Sequence, residues 1–230
     1  MTGNETQRHA SFQRAWERIS HLADRTTLAW DRLRQAVLQL AGEVIEEILF
    51  FLEPDAETSG ESAAAHREQA AAAIVELLGQ DPARTLLALS PQEREIAVAE
   101  LHIAIARALG IEPPCTVSSS DMSGVAGFYS FAKDTIVLNA GSLSKQPMTL
   151  LEAKTLLDTV CHETYHAMQR RALRSPSKYG VSKAEAKIWR INFKNYIEPE
   201  QNPERYMFQP VEITAYNFAS AVIREIYGKG

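Results

Sequence analysis

The stretch TLLEAKTLLDTVCHETYHAMQ, Thr149–Gln169, decides the reading of this chain. Thr149 and Glu152 have the spacing of a capping box, in which each side chain bonds the other residue's backbone N–H, so a helix is expected to open here. Leu156, Leu157, Val160 and Cys161 continue it as an apolar series, and Ser175-Pro176-Ser177 is expected to end it shortly after Ala172. Within that helix lies His162-Glu163-Thr164-Tyr165-His166. Four residues turn a helix by about 400°, so His162 and His166 stand about 40° apart on one face. Two imidazoles on one face can fill two positions of a tetrahedral Zn²⁺ at roughly 2.0–2.1 Å. Glu163 lies about 100° further round. That is a poor place for a ligand and a good one for a general base beside a water on the metal. The alternative is a helix with two ordinary histidines, but an inward pair at this spacing needs polar partners.

A metal centre needs a third ligand. Glu185, Glu198, Glu200, Glu204 and Glu212 lie downstream. Glu212 is preferred because the last helix puts it at the head of a face made of Ala215, Tyr216, Ala219, Val222, Ile223 and Ile226. A carboxylate there is costly unless paired. A first-turn acid stabilised by the helix dipole is the alternative. Glu185 is second choice, since Lys183, Lys187, Arg190 and Lys194 around it read as a solvated face.

Outward from this motif, Val125–Phe131 reads as a strand, Lys133-Asp134 as a turn and Thr135–Asn139 as the returning strand, with a short β-type run at Cys115–Ser118. The sheet is expected to be small and antiparallel. Helices are expected over Ala63–Leu78, from the Ser90-Pro91-Gln92-Glu93 capping box to Leu109, over Lys183–Tyr196, and from Pro210 to Gly228; Leu86–Leu89 is a short apolar piece and Ile197–Gln209 a loop. Residues 53–62 read as a linker. Ahead of it, Trp16, Ile19, Leu22 and a second series from Trp30 to Leu52 recur at helical spacing. The expected organisation is therefore an N-terminal helical extension over 1–53 and a main domain over 63–230, mostly helical α+β.

The motif HETYHAMQ, the hairpin GFYSFAKDTIVLN before it and FQPVEITAYNFA after it resemble the minimal zincin-like metallopeptidases with a glutamate third ligand, such as ImmA/IrrE-type proteins and the metallopeptidase domains of bacterial toxins and phage proteins. The resemblance covers roughly residues 111–226. It implies a zinc-dependent peptidase with His162, His166 and Glu212 as zinc ligands and Glu163 as catalytic base. It also implies that an extended protein or peptide substrate lies along the 125–139 hairpin by strand addition. Thermolysin-like relatives carry an Asp four residues after the third ligand, where this chain has Tyr216. Tyr216 is then either a hydrogen-bonder or oxyanion-stabilising group of the site, or a core tyrosine. Two other functional classes fit the same residues: a toxin-type effector, whose N-terminal helices serve delivery or bind a helical partner, and a scaffold or sensor that keeps the metal without catalysis.

Composition narrows the classes further. The chain has 230 residues, 45% apolar and 23% charged, with net charge −5. This fits a folded globular protein and argues against general nucleic-acid binding, which needs a basic surface. No run of about 18 apolar residues suggests a membrane span, and Met1–Arg14 has no apolar signal-peptide core. A cytoplasmic location is expected, or export without a signal peptide for an effector. The two cysteines, Cys115 and Cys161, exclude a disulfide scaffold. Cys161 reads as a core residue. The basic block from Arg170 to Lys194 reads as a solvated helix surface.

Overall fold

The computed structural model describes residues 59–228, apart from 113–115, 121, 123–125 and 132. The described residues belong to one unit, Pro54–Gly230. The helical reading of 1–53, most of the expected linker, and Cys115 lie outside them.

The chain begins with three helices, α1 Ser59–Leu78, α2 Pro82–Ala88 and α3 Pro91–Ala108. Strands β1 Thr116–Ser120, β2 Gly127–Ser130 and β3 Thr135–Asn139 follow. Then come α4 Ala140–Ser144, α5 Leu150–Ala172, a 3₁₀ turn Pro176–Tyr179, α6 Lys183–Lys194, α7 Pro203–Met207 and α8 Pro210–Tyr227. The fold is mostly helical with a small sheet. Both expected capping boxes form: Ser90 with Glu93 opens α3, and Thr149 with Glu152 opens α5. Thr149 N–H and Oγ both donate to the Glu152 carboxylate at 2.8 Å, while Glu152 N–H returns to Thr149 Oγ at 3.3 Å. Thr149→Ala should therefore cost about 0.5–2 kcal/mol, read as a lower midpoint in denaturant unfolding. An unchanged midpoint would mean that packing alone starts α5.

The sheet differs from the expected antiparallel one. The β2–β3 hairpin is antiparallel, with Phe128 opposite Val137 and Tyr129 opposite Ile136. However, β1 lies on the other side of β3 and runs parallel to it, giving the order β1-β3-β2. A tight turn at Lys133-Asp134 dictates the hairpin locally, with Asp134 in the left-handed region at φ 51°. Nothing local to Thr116–Ser120 dictates its partner. Ile136 and Leu138 of β3 point into the core and alternate with half-buried neighbours, the period-two pattern of a strand with one covered face. Strand β2 starts later than expected and leaves Phe131 in the turn.

Three short helices add to the expected pattern. Asp81 caps α2, its carboxylate accepting from Arg84 N–H. Asn139 caps α4, its side chain accepting from Gly141 N–H. Within the expected 197–209 loop, Asn202 caps α7.

Helix α5 is the central helix of the described unit. It packs against α8, α3, α2 and β2. Leu156, Leu157, Val160, Cys161, Ala167 and Met168 are buried along it, and so are Thr159, His162, Glu163, Thr164, His166 and Gln169. An amphipathic surface helix would keep those polar residues in water. Here each buried polar side chain must find a partner inside the protein.

Candidate metal centre

His162, Glu163 and His166 come from the buried half of α5, and Glu212 from the first turn of α8. His162 and His166 are each 4% exposed, Glu163 7% and Glu212 0%. His162 Nε2 lies 3.2 Å from Glu212 Oε2 and His166 Nε2 lies 3.3 Å from Glu212 Oε1. The two Nε2 atoms are 3.0 Å apart. Two ligand atoms at about 2.0–2.1 Å from a tetrahedral ion stand about 3.3 Å from each other. The three donors therefore already have the spacing of three corners of such a site. They form a buried group able to hold a metal ion. The donor set, two imidazoles and a carboxylate, suits Zn²⁺.

The start of α8 is held from outside. Its N-cap, Gln209, makes no side-chain cap bond. Asn192 of α6 supplies one instead, accepting from Val211 N–H at 3.0 Å and donating to Gln209 Oε1 at 2.9 Å. Gln209 also bonds Ile197 in both directions, N–H to Oε1 at 2.8 Å and Nε2 to the carbonyl at 2.9 Å. These bonds fix the first turn of α8, where Glu212 stands. Tyr196, just after α6, donates its hydroxyl to Glu212 Oε1 at 2.7 Å.

Charge in this interior is strongly coupled. Burial opposes ionisation of Glu212, yet the adjacent His166 and His162 hold its carboxyl well below the usual range. Burial by itself would depress His166, but Glu212 outweighs it and raises the imidazole to about 9. Burial pushes the Glu163 carboxyl up, against the pull of His162 and His166. The nearby Tyr129 backbone N–H, from β2, also favours its ionised form. Asp158, one turn before His162, is pushed up to about 6 by burial. Among the described residues His162 Nδ1 has no hydrogen-bond partner, whereas His166 Nδ1 meets Gln169 Oε1 at 2.7 Å.

Tyr216 is at the site rather than in a remote core position. Its ring packs on His162 with centroids 4.3 Å apart. Burial and Glu212 push its hydroxyl up, against a smaller opposing effect of Tyr206. Tyr196 and Tyr206 meet edge to face at 6.1 Å. Three tyrosines thus surround the carboxylate. Sequence reasoning found one of them and missed Tyr196, Tyr206, Gln169 and Asn192. The available signal was the pair Tyr206 and Phe208 in an otherwise polar loop just before Glu212.

The other acids are elsewhere. Glu198, Glu200 and Glu204 are exposed. Glu185 is not on a solvated face, as its lysine neighbours suggested. It is half-buried in a cavity of about 160 Å³ lined also by His66, Arg67, Tyr165 and Asn217, and burial raises its carboxyl. Part of the basic block is structural as well: Arg171 holds Asp134 through two bonds of 3.2 and 3.0 Å, which fastens the hairpin turn to α5. Cys161 is fully buried, as expected. No described helix is long and apolar enough to cross a membrane.

No family model, curated protein or solved structure matches the chain.

Proposed function

We propose that the protein is a zinc-dependent peptidase of the zincin type. The observation that carries this reading is the buried triangle of His162 Nε2, His166 Nε2 and the Glu212 carboxylate, with a second buried carboxylate, Glu163, beside it. His162, His166 and Glu212 would hold the ion. Zn²⁺ bound there supplies Lewis acidity toward a carbonyl oxygen and a water molecule. Glu163 accepts the proton of the attacking water and passes it to the leaving amine. Burial favours its neutral form, which suits a group that has to hold the proton between the two transfers. Tyr216, kept protonated by burial and by Glu212, can donate to the oxygen on which charge develops.

Strand β2 is the outer strand of its sheet. Asn139 N–H donates to the Ala126 carbonyl at 2.9 Å, which sets the phase of the hairpin ladder. Ala126, Phe128 and Ser130 therefore bond toward β3, while the backbone groups of Gly127 and Tyr129 face the other way. An extended peptide can add along that edge, next to Glu163. Gly127 lets β2 approach α5 closely: a Cβ there would stand 2.7 Å from Leu138 Cδ2 and 3.0 Å from Thr159 Cγ2.

Elemental analysis of the purified protein beside His162→Ala tests the reading. One zinc per chain is expected in the parent and none in the variant. Equal zinc in both would overturn it. Zinc in the parent without cleavage of any unfolded protein would favour a metal-holding scaffold.

A further inference from the structure

Gln169 follows His166 by three residues and is fully buried. Its amide nitrogen lies 2.9 Å from the Val211 carbonyl oxygen and 2.7 Å from Thr214 Oγ. A carbonyl oxygen can only accept, so the group facing Val211 must be the NH₂. The Thr214 hydroxyl donates to the Pro210 carbonyl at 2.9 Å or the Val211 carbonyl at 3.1 Å, which in either case leaves its oxygen to accept as well. The carbonyl end of the amide therefore faces His166 Nδ1, at 2.7 Å. An acceptor at that place requires hydrogen on Nδ1. With hydrogen there, the neutral ring has its lone pair on Nε2, the atom that meets Glu212 and His162. The chain of constraint runs from the backbone of α8, through one amide, to the tautomer and ring angle of one histidine. His162 has no such tether among the described residues, where its Nδ1 meets no partner.

We propose that Gln169 is the positioning residue of the metal centre: pinned to α8 by Val211 and Thr214, it holds His166 with Nε2 free for a divalent cation. This rests on the reading of His162, His166 and Glu212 as a metal site. It also ties α5 to the helix that carries Glu212, so one side chain sets the relation between two ligands. Groups that hold the second nitrogen of a ligand histidine typically change metal affinity 10–100-fold when lost.

The test uses the full chain, with zinc affinity measured by competition with a chromophoric chelator. Gln169→Leu should bind zinc about 10–100-fold more weakly than the parent. Gln169→Glu keeps an acceptor for Nδ1–H and, as a protonated carboxyl, an O–H donor for the Val211 carbonyl, so it should stay within a few-fold of the parent, a rescue that a packing role would not produce. In zinc-loaded, ¹⁵N-histidine-labelled protein, the parent and Gln169→Glu should show a slowly exchanging downfield Nδ1–H of His166, and Gln169→Leu should not. Parent-like affinity in Gln169→Leu, or affinity in folded Gln169→Glu as weak as in Gln169→Leu, overturns the role. Should Gln169→Leu fail to fold, a rapidly exchanging His166 Nδ1–H in the parent overturns it. A parent that binds no zinc sinks the metal reading itself, whereas normal binding by the parent with an unaffected Gln169→Leu sinks only the role of Gln169.

Discussion

Glu212→Ala should abolish stoichiometric zinc uptake while Glu185→Ala leaves it intact. Glu212 is fully buried and supplies the third corner of the donor triangle. Without it, two neutral imidazoles remain, and no other carboxylate of the described residues joins their group. The loss should exceed the roughly 10–100-fold that removal of a supporting hydrogen bond costs. Glu185 lines a separate cavity with Tyr165 and Arg67, so its removal cannot change the donor set. Glu212→Ala also strands the Tyr196 hydroxyl, which now donates to Oε1 at 2.7 Å. Far-UV circular dichroism must therefore accompany the zinc measurement, and Glu212→Gln provides a variant of the same size. A folded Glu212→Ala protein that keeps one zinc at the parent affinity would remove Glu212 from the centre.

Glu163→Gln should retain zinc and fold, yet lose about 10²–10⁴-fold in peptide hydrolysis, the contribution of a positioned acid/base. The amide keeps the size of the side chain and an oxygen near the Tyr129 N–H. What disappears is the ability to take and return a proton. Zinc content, thermal unfolding and the rate on an extended, unfolded protein segment separate these effects. Such a segment is the better trial substrate because the proposed strand addition along β2 would rely on backbone rather than side chains. Equal cleavage by Glu163→Gln and the parent would refute the mechanism even with zinc in place.

The two histidines and Glu163 were legible because a helix converts spacing into direction. Residues four apart share a face whatever the rest of the chain does. Glu212 was legible by a different route. A carboxylate heading the face of Ala215, Ala219 and Val222 has to be paired, and the structure places it against both imidazoles. Gln169 stood in plain view three residues after His166, but its role depends on what lies opposite. Only the approach of α8, with the Val211 carbonyl and Thr214 hydroxyl, sets the direction of its amide. Tyr196 and Tyr206 are remote in the same sense: each sits in a segment whose course is decided by Gln209 and Asn192.

By itself the sequence determined what neighbours along the chain can enforce: both capping boxes, the extent of α5, the hairpin turn and the H-E-x-x-H face. These follow from hydrogen bonds and dihedral preferences spanning a few residues. Tertiary structure alone decided that β1 runs parallel to β3, that Glu185 turns into a cavity rather than toward water, and that three tyrosines gather around Glu212. Each of these joins segments distant in sequence, and the burial that selects among such pairings acts on the folded surface as a whole, without regard to order along the chain.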